Sequence, residues 1–556
     1  MTAERLIYLP LGGAGEIGMN AYVYGYGPRN RERYILVDLG VTFPDMDGTP
    51  GVDLIMADIA WLEERRDRLE GIFVTHAHED HVGGVGHLWS RLRAPIYARD
   101  FTARIAMKKM IEAGQPSEQV VTVGLDESVE LGPFRIRFLP ISHSLPEASS
   151  MLIETPAGRV LHTGDFKLDM APGVGEPFDE DLYRGLGDQG IHALVCDSTN
   201  VFSPHPGRSE SSLGPAITAL IREAPGMVVA TTFASNVARL RTLAKAGRAA
   251  GRSVCLLGRA MQTMVRTATE CGLLHDFPPV VSVEEAGDIP RETLMLLVTG
   301  SQGERRAATA QLSRGSYLGI TLQEGDTFLF SSMTIPGNER DVLKIVNAFS
   351  EMGVDVVDNT QGAYHVSGHA NRPDLERMHE LVRPAMLVPM HGEHRHLREH
   401  ARLGARRGIA AAIAPNGTML DLTGSEPVVA EYVDTGRLYL DGTAIYGALD
   451  GIVRERIKLA LNGVVVVTLI LDEDGTPLGD AWADCQGLAR EGRSGRPLSE
   501  VIEDELASEL ERTSRKVFES DDKLTDLIKR RVRLACVDEI GKKPEVAVVI
   551  SRLSDA

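Results

Sequence analysis

The chain has 556 residues, 43% hydrophobic and 25% charged, ordinary globular values at a length that suits about three domains and a large core. A net charge of −19 argues against a broad nucleic-acid-binding face, though a local basic channel would suffice for a nuclease, and no apolar run approaches membrane-spanning length. The five cysteines, Cys196, Cys255, Cys271, Cys485 and Cys536, are scattered without a C-x-x-C pair, and residues 1–5 have no signal-peptide layout, so a soluble cytoplasmic protein with reduced thiols is expected.

The first motif is Gly13-Ala14-Gly15-Glu16-Ile17-Gly18, a literal G-x-G-x-x-G after an apolar strand, with Asp38 where a dinucleotide fold would place its ribose-binding acid. Residues Met19 to Tyr26 are aromatic and read as a strand, which leaves no helix N-terminus for a pyrophosphate. A glycine-rich hairpin at the edge of a first sheet is expected instead. Asp38 ends the apolar run Tyr34-Ile35-Leu36-Val37.

The run Gly71-Ile72-Phe73-Val74 leads into Thr75-His76-Ala77-His78-Glu79-Asp80-His81. If Ile72 to Val74 is a buried strand, His76 and His78 point the same way at its end, and Asp80 and His81 follow on the turn into a helix. Two ligand groups then face two neighbouring positions, which suits a dinuclear centre better than one tetrahedral ion. Imidazole and carboxylate without thiolate suit two zinc ions, with manganese or magnesium as alternatives, and a site without Cys is more often catalytic than structural.

Downstream, a helix is expected over Asp100 to Ala113, and the alternating Phe134-Arg135-Ile136-Arg137-Phe138 leads to His143. Val160-Leu161-His162-Thr163-Gly164 leads to Asp165, with His162 out of phase and structural. Cys196, a core residue, precedes Asp197 at a strand end. The interval from Asp165 to His391 is far longer than a ligand-to-ligand connection needs. It reads as an α/β insert with strands at Met227 to Thr232, Ser253 to Leu257, Thr293 to Thr299 and Thr327 to Phe330. Phe233-Ala234-Ser235-Asn236 opens a helical segment, so its N–H groups and the Ser235 hydroxyl suit a phosphate; a plain N-cap at Ser235 is the alternative. Arg239, Arg241, Lys245, Arg259 and Arg266 suit either a basic channel or solvated helix faces. His365-Val366-Ser367-Gly368-His369 and the strand Met386 to Met390 ending at His391 follow. A final unit shows a strand over Gly463 to Leu471, helices over Ser499 to Phe518 and Asp521 to Val537, and a strand over Glu545 to Ile550.

The string H-x-H-x-D-H resembles the signature of the metallo-β-lactamase superfamily, whose fold is an α/β, αββα sandwich with two metals at one edge. That resemblance implies that His76, His78 and His143 hold one metal, that Asp80, His81 and His391 hold the other, and that Asp165 spans both. Asp38 matches an acid that orients the histidine loop. The insert, with Asp197 and His369, resembles the β-CASP branch, whose members act on nucleic acids. Over the whole chain, with residues 330–339 and the C-terminal αβ unit, the resemblance is to the ribonuclease J family. It implies a core over 1–205 and 355–447, a β-CASP insert over 206–354, and a C-terminal αβ domain over 448–556 that serves oligomerisation.

The same resemblance implies hydrolysis of single-stranded, 5′-monophosphorylated RNA by a homodimer, or else a tetramer, with no membrane partner. The activity implied is 5′-to-3′ exonuclease plus endonuclease, in RNA decay and rRNA or mRNA processing. Asp80 would orient the nucleophile, His369 would donate a proton to the departing oxygen, and Asp197 would orient His369. Phe233, Ala234, Ser235, Asn236, His365, Ser367 and His369 would meet the RNA. A thioesterase or lactonase would share the first ligand set but would not need the insert. A non-catalytic RNA-binding scaffold would be expected to have lost ligands, and none is missing.

Overall fold

The computed structural model describes residues 4–335, 337–360 and 362–553; residues 1–3, 336, 361 and 554–556 of the segments named above lie outside the described residues. The chain divides into two units, one formed by the residues up to Thr42 with Met56–Arg437, the other by Phe43–Ile55 with the residues from Leu438 onward.

The first unit is built on two sheets. The eight-stranded sheet runs Val428–Tyr432, Thr418–Asp421, Glu4–Gly12, Ala21–Pro28, Arg33–Val37, Leu69–Phe73, Ile96–Ala98, Val120–Thr122. The seven-stranded sheet runs Val129–Leu131, Phe134–Pro140, Ser149–Thr155, Gly158–His162, Ala193–Asp197, Met386–Met390, Ala410–Ala411. Tyr8, Tyr24, Ile35, Val37 and Phe73 from the first sheet share one core with Ile136, Ile153, Val160, Val195 and Val388 from the second. The neighbours of these residues, Leu152, Leu161, Leu194 and Leu387, point to the opposite face, where they pack with Tyr183, Leu375, Met378 and Leu403 on helices. Burial on both faces explains why these strands are continuous apolar runs.

The glycine motif is not at a sheet edge. Glu4–Gly12 pairs antiparallel with Ala21–Pro28 as a hairpin requires, but Thr418–Asp421 pairs along the other side of Glu4–Gly12 and carries Val428–Tyr432 beyond it. Pairing across some 400 residues leaves no mark in local periodicity, which is why an edge was expected. Within the motif, Ala14–Gly15 pairs with Gly392–Glu393 and so lies against the residues that follow His391.

The insert carries a five-stranded, all-parallel sheet in the order Ser253–Leu257, Leu294–Val298, Val228–Thr231, Thr327–Phe330, Asp355–Val357. Val229, Leu296 and Phe328 fill a core on one face, and Ala230, Leu297 and Leu329 fill one on the other.

In the second unit, the sheet order is Trp482–Gln486, Val464–Leu471, Glu545–Arg552. Val465, Val467, Leu469 and Leu471 share one face and pack on Leu498, Ile502, Leu506, Leu524, Ile528 and Val532, spaced at about one turn along two helices. Ile470 and Trp482 are exposed. Among the described residues, no helix is long and apolar enough to cross a membrane.

Candidate metal centre

The strands Gly158–His162, Ala193–Asp197 and Met386–Met390 are parallel neighbours, so Asp165, Asp197 and His391 emerge at one end of one sheet. Leu69–Phe73 brings the histidine loop to the same edge. Asp38, fully buried, accepts from Thr75 N at 2.8 Å and from Thr75 Oγ1 at 2.9 Å, and its Oδ2 lies 2.7 Å from His81 Nδ1. Asp38 Oδ2 accepts from His81 Nδ1, which turns Nε2 towards Asp165 Oδ2, 3.1 Å away; against the pull of burial, Asp165, Asp80 and Asp38 hold His81 well above the ordinary histidine range, so without a cation Nε2 carries a proton that a metal would displace. Asp38 and His391 sit at φ 63° and 47°, strained for residues with a side chain and held by their surroundings.

Gly40 must be a glycine for a steric reason: a Cβ there would lie 1.6 Å from the Asp80 carbonyl oxygen. Gly40→Ala is therefore expected to push the histidine loop outward and weaken metal retention by roughly tenfold or more, measured by competition with a chelator.

His143 Nδ1 donates to the Gly368 carbonyl at 2.6 Å, which leaves Nε2 bare, 3.1 Å from His78 Nδ1. His76 Nε2 also lies 3.1 Å from His78 Nδ1 and 3.7 Å from Asp165 Oδ2. Burial, with the neighbouring imidazoles, holds His76 and His143 well below the ordinary histidine range, and burial takes His78 down to about 4. Neutral imidazole is the ligating form. On the other side, Asp80 Oδ2 lies 3.5 Å from His81 Nε2 and 3.2 Å from His391 Nε2, and His391 Nδ1 lies 3.1 Å from Asp165 Oδ1. That last contact lacks hydrogen-bond geometry, so Asp165 Oδ1 is buried without a hydrogen bond. Against the pull of burial, Asp165 and its fellow acids raise His391 to about 10, so in the absence of metal this half of the site holds protons that a cation displaces.

Two donor sets result, each with its ligand atoms within 4.8 Å: His76, His78, His143 and Asp165; and Asp80, His81, Asp165 and His391. Converging imidazole nitrogens and carboxylates, with an orphaned carboxylate oxygen among them, fit divalent cations with N/O preference. A third set, Asp165, Asp197, His369 and His391, overlaps the second. In it His369 Nδ1 is 2.8 Å from Asp197 Oδ2, and its ring stacks on His391 with centroids 5.5 Å apart. Asp197 Oδ1 accepts from Thr199 N and Oγ1 at 2.8 and 2.7 Å. Ser367 Oγ accepts from Asn200 Nδ2 at 2.7 Å and from His369 N at 3.1 Å, which ties the loop to the Asp197 strand end.

The structure adds residues that the sequence did not mark as part of the site. Asn20 Nδ2 donates to the Asp80 carbonyl at 3.0 Å and lies 3.0 Å from His81 Nε2, while Tyr22 O–H donates to Asn20 Oδ1 at 2.7 Å. Thr199 Oγ1 lies 3.0 Å from His391 Nδ1. Their one signal was adjacency, Asn20 following the glycine motif and Thr199 following Asp197. His162 stays outside the donor sets, its Nδ1 2.9 Å from Tyr24 Oη.

On the insert, the helix Val237–Ala249 is capped by Asn236, whose side chain accepts from Arg239 N at 2.9 Å. The N-cap alternative for Ser235 therefore falls to its neighbour, and the Ser235 hydroxyl makes no hydrogen bond among the described residues. Phe233, Ala234 and Ser235 are half-buried beside it. Four of the five basic residues that suit a channel or solvated helix faces have acidic partners, and Arg259 is exposed. Arg239 is fully buried against Glu210, Arg241 and Lys245 both pair with Asp276, and Arg266 lies 3.9 Å from Glu270. Partners so far apart in sequence as Glu210 and Asp276 gave no local sign of this neutralisation.

An αββα sandwich with a buried His/Asp edge, interrupted by a parallel α/β insert, defines a metal-dependent hydrolase of the metallo-β-lactamase superfamily. Residues 15–213 match the metallo-β-lactamase superfamily, 225–349 the ribonuclease J β-CASP domain, 353–415 the Zn-dependent metallo-hydrolase RNA specificity domain, and 451–553 the ribonuclease J C-terminal domain. The chain is 39% identical to ribonuclease J of Sinorhizobium meliloti, over 99% of this chain and 98% of that one. It is 37% identical to ribonuclease J of Mycolicibacterium smegmatis over 89% of each. A solved structure of a protein of unknown function from Enterococcus faecalis covers 75% of this chain and 100% of its own, with a TM-score of 0.51 at 16% identity, a likeness of fold alone. The chain belongs to the ribonuclease J family and is a metal-dependent ribonuclease.

Proposed function

We propose that this ribonuclease degrades RNA 5′ to 3′ from monophosphorylated ends and also cleaves internally, in the cytoplasm. The observation that supports it most is the loop carrying His365, Ser367 and His369. One end of that loop is bonded to the metal edge through Asp197 and Asn200, and the other to the insert through Arg239. Catalytic and end-reading groups on one short loop suit a reaction counted from a chain end.

In this reading His76, His78 and His143 hold one zinc ion, Asp80, His81 and His391 the other, and Asp165 both. Two such ions, when bound, acidify water and neutralise charge on phosphate oxygens. Asp80 orients the nucleophile. His369, held by Asp197, gives its proton to the departing oxygen. Ser235 with the neighbouring N–H groups, together with His365 and Ser367, receives the 5′-phosphate, since hydroxyl and N–H groups are donors suited to an anion.

End-labelled RNA tests the pocket. The 5′-monophosphorylated form is expected to decay at least about tenfold faster than the triphosphorylated form, with internal cleavage indifferent to the end group. Ser235→Ala with Ser367→Ala should erase the difference. Equal decay of both RNAs by the unmutated protein would sink the pocket and leave the metal site untouched.

The C-terminal unit contributes none of the proposed ligands and exposes Ile470 and Trp482. We propose that it holds a homodimer, or a tetramer, together. Light scattering of the chain truncated before residue 448 is expected to give a monomer, and an unchanged mass would remove the idea.

A further inference from the structure

Arg239 is fully buried, and its guanidinium forms a two-pronged pair with Glu210, Nε to Oε1 at 2.6 Å and Nη2 to Oε2 at 2.8 Å. Such a pair is weak evidence of stability, because withdrawing both charges from water offsets their attraction. Its other N–H groups point to a different use. Nη1 donates to the Ser331 carbonyl at 2.8 Å and the Tyr364 carbonyl at 3.4 Å, and Nη2 reaches the Val366 carbonyl at 3.4 Å. Ser331 O–H donates to the same Tyr364 carbonyl at 2.7 Å. The backbone on both sides of His365 is thus fixed, and Nη1 lies 3.1 Å from His365 Nδ1.

A guanidinium has only donors, so where one of the two Nη1 hydrogens, shared among the Ser331 and Tyr364 carbonyls and Ser331 Oγ, reaches Nδ1, that nitrogen accepts and the imidazole proton sits on Nε2. His365 is half-buried. We propose that Arg239 is a positioning residue that holds His365 as its Nε2–H tautomer, so that His365 meets a 5′-phosphate as an uncharged hydrogen-bond donor. The proposal rests on the phosphate pocket described above. Burial and the charge of Arg239 push His365 down to about 3, with the Ser331 carbonyl opposing and Lys167 adding to them. Lys167 is paired with Asp169 at 2.9 Å, and Asp169 accepts from Glu210 N at 2.9 Å, so one buried network joins the strand end after Asp165 to the insert.

The test uses the full chain labelled with ring-¹⁵N histidine, the His365 signal being assigned by its loss in His365→Gln. At about pH 7 the unmutated protein should show a neutral ring protonated on Nε2. Arg239→Met with Glu210→Met removes both charges together. In that variant a mixture of tautomers is expected, with KM for 5′-monophosphorylated RNA raised roughly tenfold and kcat changed less. A ring protonated on Nδ1 in the unmutated protein, or an imidazolium, overturns the proposal. So does an unchanged KM in a folded double variant. If that variant does not fold, the tautomer in the unmutated chain decides. Absence of any end preference in the unmutated protein would count against the pocket, whereas the tautomer would still report on Arg239.

Discussion

Asp165→Ala is expected to lower hydrolysis by roughly 10⁴-fold or more, because water at neutral pH is a poor nucleophile unless a cation acidifies it. Asp165 is the one residue common to both proposed donor sets, and it is buried. Its Oδ2 lies 3.1 Å from His81 Nε2 and 3.7 Å from His76 Nε2, between the two groups of imidazoles. Removing the carboxylate also takes from three histidines, His391, His81 and His369, one of the acids that offset their charge. His76→Ala, which takes one ligand from one set, should abolish activity as well. Metal content by mass spectrometry and turnover on RNA are read together. An Asp165→Ala protein that keeps two metals and cleaves within tenfold of the unmutated rate would refute the shared-ligand assignment.

Much of the fold was legible because burial on both faces writes itself as apolar runs. Val228–Thr231, Leu294–Val298 and Thr327–Phe330 were read as strands for that reason, and they form a parallel sheet covered on both sides. The residues of the H-x-H-x-D-H stretch converge because a strand end and one helical turn leave few other directions for them. What stayed hidden depends on distant pairing. The strands Thr418–Asp421 and Val428–Tyr432 complete the sheet begun by Glu4–Gly12, and the polar strand Trp482–Gln486 joins Val464–Leu471 without an apolar signal of its own. Arg239 looked like a surface charge because helical spacing carries no mark of a partner at Glu210. Asn20 and Thr199 touch the site through side-chain hydrogen bonds, a role with no periodicity to betray it.

His369→Ala should lower kcat by about 10²- to 10⁴-fold, the usual range for a positioned proton donor, while metal content stays that of the unmutated protein. Asp197 sets the orientation of the donor. Its Oδ2 is 2.8 Å from His369 Nδ1, which fixes the imidazole with Nδ1–H inward and leaves Nε2 as the atom that meets substrate. Asp197 and the neighbouring Asp165 favour the protonated ring strongly enough to overcome its burial, so a proton is held there ready for transfer. Asp197→Asn should therefore lower turnover too, by disturbing the orientation of His369 and not by removing a group that touches RNA. A rival account comes from the same geometry, since His369 and Asp197 also belong to a set with Asp165 and His391 that has the spacing of a metal site. The two accounts part on one measurement. If His369→Ala loses metal as fully as His76→Ala does, His369 is a ligand and the proton must come from elsewhere; if metal is retained and only kcat falls, the proton-donor assignment stands.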